Sequence, residues 1–382
     1  MPADSVTQQP ITYSAASLSN LQQRVVSSHV AVAFGSGSGK GYDVEDVDRA
    51  DFLDGRDILV LGRLPSRLFT IDMGTGQLRN VARQGSGPGE FQQLSDFMVL
   101  GDTIVISDWA ALRVTALRRP SGYLWARRIE SPATRATRRI AGVLSSGEIV
   151  MYSAGGFGPE GDTTTRTISD MVSLPRSGPT RLVLRRPDLR LVRTETRYRG
   201  RVRYRAVPLG LSSSVSAVAT GSTIISTSAE HYELDFRSLD GRSQKTVRFL
   251  KPRRAVTRAI RQAAIAEELE RRVFAPRGEP LIDPAETERL VRTAVYADSL
   301  PAIHSLLLGR DGTTWVVDGI GPSDLGWSAT GIRADGSLVA RLTSNTPGRP
   351  LAIERNRVLV RELDVDGAAV LRVRVVSRRS PD

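Results

Sequence analysis

GSGPGEFQQLSDFMVLGDTIVISD, residues 85–108, decides the fold. Its second half holds two short runs rich in Val, Ile and Phe, DFMVL (96–100) and TIVISD (103–108), joined by Gly101 and Asp102. Short apolar runs joined by a two-residue Gly-Asp turn read as an antiparallel hairpin. Its first half is a Gly-rich junction ending on Phe91.

Working outward, the same unit returns. Upstream lie ADFL-DGR-DILVLG (50–62) and RLFTID (67–72); downstream the hairpin continues through RVTALRR (113–119). Further copies begin IAGVL-SSG-EIVMYS (140–153), SAVAT-GS-TIISTS (216–228), HSLLLG-RDG-TTWVVD (304–318) and PLAIE-RN-RVLVREL (350–363). Four-stranded units repeated in this way predict an all-β chain, a six-bladed β-propeller in which each blade buries its faces on its neighbours. The last unit, ending AAVLRVRVVS (368–377), has only three strands, while VAVAF (30–34) stands without a partner. The N-terminal strand is therefore expected to close the last blade. Residues 1–23 read as a flexible segment and 24–382 as the propeller. Residues 252–299 abandon the period of two: Val256, Ile260, Ala264 and Val273, then Leu290, Val291 and Val295, have helical spacing. Asp283, Pro284 and Glu286 mark a helix start, so two helices are inserted between blades 4 and 5.

Composition narrows the function classes. The 382 residues carry a net charge of +12, almost all of it Arg, since Lys stands only at 40, 245 and 251. A positive field attracts anionic partners. There is no cysteine, which excludes disulfides, thiolate metal sites and a Cys nucleophile. No run approaches the roughly 18 apolar residues of a membrane helix, and the polar N-terminus lacks the pattern of a secretory leader. The expectation is a monomer without a membrane span, exported or periplasmic if a leader precedes it and cytoplasmic otherwise.

GSGPGEF, the spacing of Asp108, Arg113 and Val114, and LPAIHSLLLGRDGTTWVVD (300–318) together resemble bacterial six-bladed β-propeller proteins related to NHL-repeat propellers. The resemblance implies the fold, and export for many members, but no particular activity. Ala111 stands where the NHL repeat carries Asn.

Three groups of residues are candidates for function. Gly85, Gly87, Pro88, Gly89, Glu90 and Phe91 could be taken for a phosphate cradle, but Pro88 lacks an N–H, Glu90 repels anions, and no Lys-Ser/Thr follows. With Asp108 and Arg113 they read as a structural crossing between blades. RYRGRVRYR (197–205), taken as one strand, places Arg197, Arg199, Arg201, Arg203 and Arg205 on a single cationic face. Such a face suits an anionic ligand or a solvated edge; nucleic acid is not favoured, since no aromatic platform accompanies it. Aligning the units on their first turns puts Arg49, Asp96, Ile140, Ser216 and His304 at one level of the central channel. Of these, Arg49, Asp96 and His304 are ligand-binding candidates.

No catalytic residue, metal ligand or cofactor is assigned. Asn occurs only at 20, 80, 345 and 356 and His only at 29, 231 and 304, while Asp43, Glu45, Asp46 and Asp48 lack calcium-loop spacing. No Gly-x-Ser-x-Gly elbow is present. The reading is a non-enzymatic binding or scaffold propeller for a protein or an anionic ligand. The alternative is a lactonase-like hydrolase or lyase using Asp96 and His304, with or without calcium or another divalent ion in the channel.

Overall fold

A computed structural model of the chain describes residues 9–35, 47–63, 66–119, 122–129, 138–153, 166–198, 201–208, 210–211, 214–228, 230–273, 284–320, 326–364 and 368–378. Strand β1 (Ile11–Tyr13), helix α1 (Ala15–Ser19) and strand β2 (Gln23–Phe34) come first. Antiparallel meanders follow: β3 (Val47–Phe52), β4 (Asp57–Arg63), β5 (Ser66–Asp72) and β6 (Leu78–Ala82); then β7 (Leu94–Leu100), β8 (Thr103–Asp108), β9 (Arg113–Arg118) and β10 (Gly122–Arg128). The next holds β11 (Arg138–Val143), β12 (Ile149–Ser153), β13 (Arg166–Leu174) and β14 (Arg181–Tyr198), extended by β15 (Arg201–Pro208). Strands β16 (Ser216–Thr220), β17 (Thr223–Thr227), β18 (Glu233–Arg237) and β19 (Ser243–Phe249) form another. Helices α2 (Arg258–Val273) and α3 (Pro284–Arg292) precede β20 (Ser305–Leu308), β21 (Thr314–Asp318), β22 (Trp327–Ile332) and β23 (Leu338–Ser344). The last meander is β24 (Arg349–Ile353), β25 (Arg357–Leu363) and β26 (Ala369–Arg378), to which β2 adds antiparallel.

The period of two explains the packing. In a strand, successive side chains point to opposite faces. On β4, Leu59 and Leu61 pack with Phe97, Ile104 and Ile106 of the following meander, while Ile58 and Val60 pack with Phe34, Leu359 and Leu371 of the last. Further buried clusters fill the other junctions in turn: Met98 and Val105 meet Ile140 and Met151, Val150 meets Ile224, Val218 and Phe236 meet Val316, and Val317 meets Val358 and Val360. Each meander is thus covered on both faces, the last against the first. The chain is all-β, with its sheets set around a common centre in the manner of a β-propeller. The first strands line that centre closely: β11 and β16 meet in parallel at Gly142 and Ala219, where a Cβ on Gly142 would lie 2.0 Å from the Ala219 carbonyl oxygen.

GSGPGEF joins β6 to β7. Phe91 is fully buried among Leu59, Leu68 and Phe97, and Gly85 N–H donates to its carbonyl at 2.7 Å. The loop folds around its own Glu90: Gly87 N–H donates to the carboxylate at 2.7 Å and Arg83 pairs with it at 2.6 Å, and a Cβ on Gly85 would collide with it. The anion cradle of the motif is filled from within. Asp108 accepts from the backbone of Gln92, Gln93 and Ala111, and Arg113 donates to the Glu90 carbonyl.

Two local readings are corrected. Residues 11–19 of the segment expected to be flexible form β1, paired in parallel with β19, and α1, whose Leu18 is buried beside Phe249. So short a stretch carries no periodic signal, yet Tyr13 and Leu18 pack on the fourth meander. The closing strand is longer than VAVAF, beginning at Gln23. On α2, Ile260 and Ile265 are buried and Arg261 lies over the Tyr296 ring. The helix start at Pro284 carries Glu286, paired with Arg289 at 2.7 Å, whereas Asp283 lies outside the described residues.

Candidate functional site

The starts of the first strands converge at one end of the channel. Bulges between Val47 and Arg49 and between Leu94 and Asp96 interrupt the alternation there. Arg49 and Asp96 form an ion pair at 2.6 Å. Asp96 is wholly buried and also accepts from the N–H groups of Phe97 (2.9 Å) and Ile140 (2.7 Å), so one carboxylate ties β3, β7 and β11 together. Asp48, beside Arg49, pairs with Arg139 of β11 at 3.0 Å. Burial works against the Arg139 charge, but Asp96 and Asp48 outweigh it and its pKa stands above the usual arginine value. Ser216 plays the part of Asp96 between later strands, its Oγ accepting from Leu306 N–H at 3.0 Å. Tyr152, whose pKa burial raises, hydrogen-bonds with Ser216.

His304 and Arg349 complete this end. Arg349, at the start of β24, is exposed, and the surrounding protein, followed by the Arg139 charge, lowers its pKa. Among the described residues its guanidinium has no ion-pair partner. His304 donates its backbone N–H to Val317 at 2.7 Å, and its imidazole pKa is pushed down to about 3, first by burial and then by Arg349. The ring is neutral over the physiological range.

The structure therefore brings Arg49 and Asp96 into contact and leaves His304 with a cation for its charged neighbour. A base formed by His304 against a carboxylate does not assemble, and Asp96 has its oxygens committed to three donors. Asp48, Arg139, Tyr152 and Arg349 were hidden from the sequence. The alignment on first turns ran past the bulges, which displace Asp48 and Arg139 by one residue from Arg49 and Ile140, and it omitted the last unit, where Arg349 stands.

Among the described residues no three His, Asp or Glu side chains converge as metal ligands. Asp43, Glu45 and Asp46 lie outside the described residues. The channel end carries three guanidiniums against two carboxylates, each already paired, a donor set that repels a divalent cation.

The arginine-rich stretch is two strands rather than one. Strand β14 ends at Tyr198 and β15 begins at Arg201, and their register sets Tyr198 opposite Arg201, Arg197 opposite Val202 and Thr196 opposite Arg203. Arg201, Arg203 and Arg205 alternate along β15, and Arg197 falls out of phase with them. Arg199 lies outside the described residues. Gly200, in the middle of the alternation, is the sequence signal for the break.

No protein-family model matches the chain, and no curated protein matches it. Among solved structures it is similar to a streptogramin B lyase, at 10% identity and a TM-score of 0.45 over 88% of this chain and 94% of that one. It is likewise similar to a gluconolactonase from Xanthomonas campestris, at 10% identity and a TM-score of 0.44 over 87% of each chain. A third likeness is to regucalcin, a calcium-binding protein from Agrobacterium tumefaciens, at 11% identity and a TM-score of 0.37 over 93% of this chain and 96% of that one. What those proteins bind or cleave belongs to them and is not carried to this chain.

Proposed function

We propose that the chain is a six-bladed propeller of NHL-related type, closed by β2 and carrying α2 and α3 between its fourth and fifth blades, whose channel binds a small anionic ligand. The observation that carries the ligand class is Arg349. Arg349 is exposed at the channel end and has no ion-pair partner among the described residues, so its fork is open to an incoming carboxylate or phosphate through paired hydrogen bonds. Arg139, itself paired with Asp48, is close enough to act on the Arg349 charge, and the neutral His304 and Tyr152 offer hydrogen bonds beside it.

Calorimetric titration with inorganic phosphate and with a small dicarboxylate tests this reading. Wild-type protein is expected to bind one of them, and Arg349→Gln to bind it about 10- to 100-fold more weakly, the worth of a charge-assisted pair. Equal affinities in the two proteins, or no anion binding by wild type, overturn it. Arg-rich β15 gives the polyanion form of the same reading, for which retention on heparin must fall steeply with salt.

A second reading rests on the neutral His304 and the Tyr152 hydroxyl sharing the enclosure with Arg349: a hydrolase or lyase acting on an anionic substrate held there. His304→Ala must then abolish a hydrolysis that wild type performs. Thermal shifts on adding calcium and EDTA report any metal dependence.

A further inference from the structure

Where β2 and β26 meet the turn between β24 and β25, a cleft of about 440 Å³ is walled by three arginines and, among the described residues, by no carboxylate. Arg24 stands near the start of β2 and Arg378 at the end of β26, and their register sets them directly opposite each other. Side chains opposite each other on an antiparallel pair share a face, and like charges there repel. Arg355 comes from the turn, which is bound to both strands: its carbonyl accepts from Arg24 Nη1 at 2.8 Å, and the Asn356 carbonyl accepts from Val376 N–H at 2.8 Å.

Among the described residues none of the three has an ion-pair partner. Arg24 is half-buried and also donates to Gln22 Oε1 at 3.2 Å, whereas Arg355 and Arg378 are exposed and their guanidiniums hold no hydrogen bond to a described residue. Burial lowers the Arg24 pKa, and Arg355 and Arg378 lower it further; Asp311 opposes them without reaching ion-pair distance. Glu354, next to Arg355 in sequence, is held by Arg357 at 2.7 Å.

We propose that this cleft is an anion site separate from the channel, that it takes two linked phosphoryl groups, and that the bound diphosphate clasps β2 to β26 and to the turn after β24. The charge selects the class. A single phosphate group brings about 1.5 to 2 negative charges at neutral pH, short of the three positive charges it faces. Two linked groups supply the remainder, with oxygens enough for the open forks of Arg355 and Arg378 and the spare donors of Arg24. Because the ligand bridges two opposed guanidiniums, it stabilises the sheet beyond what screening by salt achieves. The cleft is independent of the channel site, since Arg349 starts β24 and Arg355 lies beyond its other end.

Inorganic pyrophosphate is the probe, with orthophosphate and, at matched ionic strength, potassium chloride as references. The titrations use full-length Arg349→Gln, so that the channel site contributes nothing. By calorimetry this protein is expected to bind pyrophosphate at least about tenfold more tightly than orthophosphate, and pyrophosphate is expected to raise its melting temperature where chloride does not. Adding Arg355→Gln or Arg378→Gln is expected to weaken pyrophosphate binding about tenfold, the worth of one charge-assisted pair. Without ligand, the protein carrying Arg378→Gln is expected to melt no lower than its parent, because one of two opposed charges is gone. Orthophosphate bound as tightly as pyrophosphate, or a stabilisation that chloride reproduces, overturns the proposal. So does pyrophosphate binding that neither added substitution alters, the result expected of arginines that serve the fold alone. The comparison of the three salts decides the matter even where an added substitution prevents folding.

Discussion

Replacing Asp96 with Ala is expected to lower folding stability by about 3–5 kcal/mol, the range for removing one member of a buried charged pair. The side chain is wholly buried and serves Arg49 Nη1, Phe97 N–H and Ile140 N–H at once. Its loss leaves two buried backbone donors without an acceptor and an arginine facing them, and nothing nearby can turn to replace it, since Asp48 is already paired with Arg139. Arg49 is the more expendable partner. Its side chain is 29% exposed and also rests on the Phe97 ring at 5.6 Å, so Arg49→Leu should cost less than half as much. Denaturant unfolding of the two variants gives the comparison. A change below about 1 kcal/mol in Asp96→Ala would show that the carboxylate is not the strut between β3, β7 and β11.

That strut separates what the sequence discloses from what it conceals. Alternation is local, so Ile58, Leu59, Val60 and Leu61 announce a strand buried on both faces, and the Gly turns between runs announce meanders. The same logic found an unpaired N-terminal strand and a last unit short of one. Side-chain convergence in the channel is not local. It depends on where bulges fall, and these moved Asp48 and Arg139 into a pair that no spacing rule indicates. Arg349 and His304 stand far apart in sequence, on units of unlike length. Their meeting leaves His304 a neutral ring beside a cation.

Deleting residues 1–34 is expected to abolish the cooperative unfolding transition. Strand β2 pairs antiparallel with β26, from Arg24 opposite Arg378 to Phe34 opposite Leu371, and at its start lies parallel to β23, Arg24 opposite Leu342. Among the described residues it is thus the strand that joins the last two meanders in a single sheet. Phe34 is fully buried among Phe52, Phe69 and Leu371, and Val26 sits with Trp327 and Val358. Without β2 both neighbours become open edges, and two core clusters are unroofed together. Phe34→Ala, which keeps the strand, should cost only about 3–5 kcal/mol and preserve cooperativity. The difference separates loss of a side chain from loss of closure. Thermal unfolding followed by circular dichroism reads both variants, and a peptide of residues 22–35 added to the truncated chain should restore the transition. A truncated chain that unfolds cooperatively at the wild-type midpoint would mean that β2 is an accessory edge strand and that the β-sheet ring closes without it.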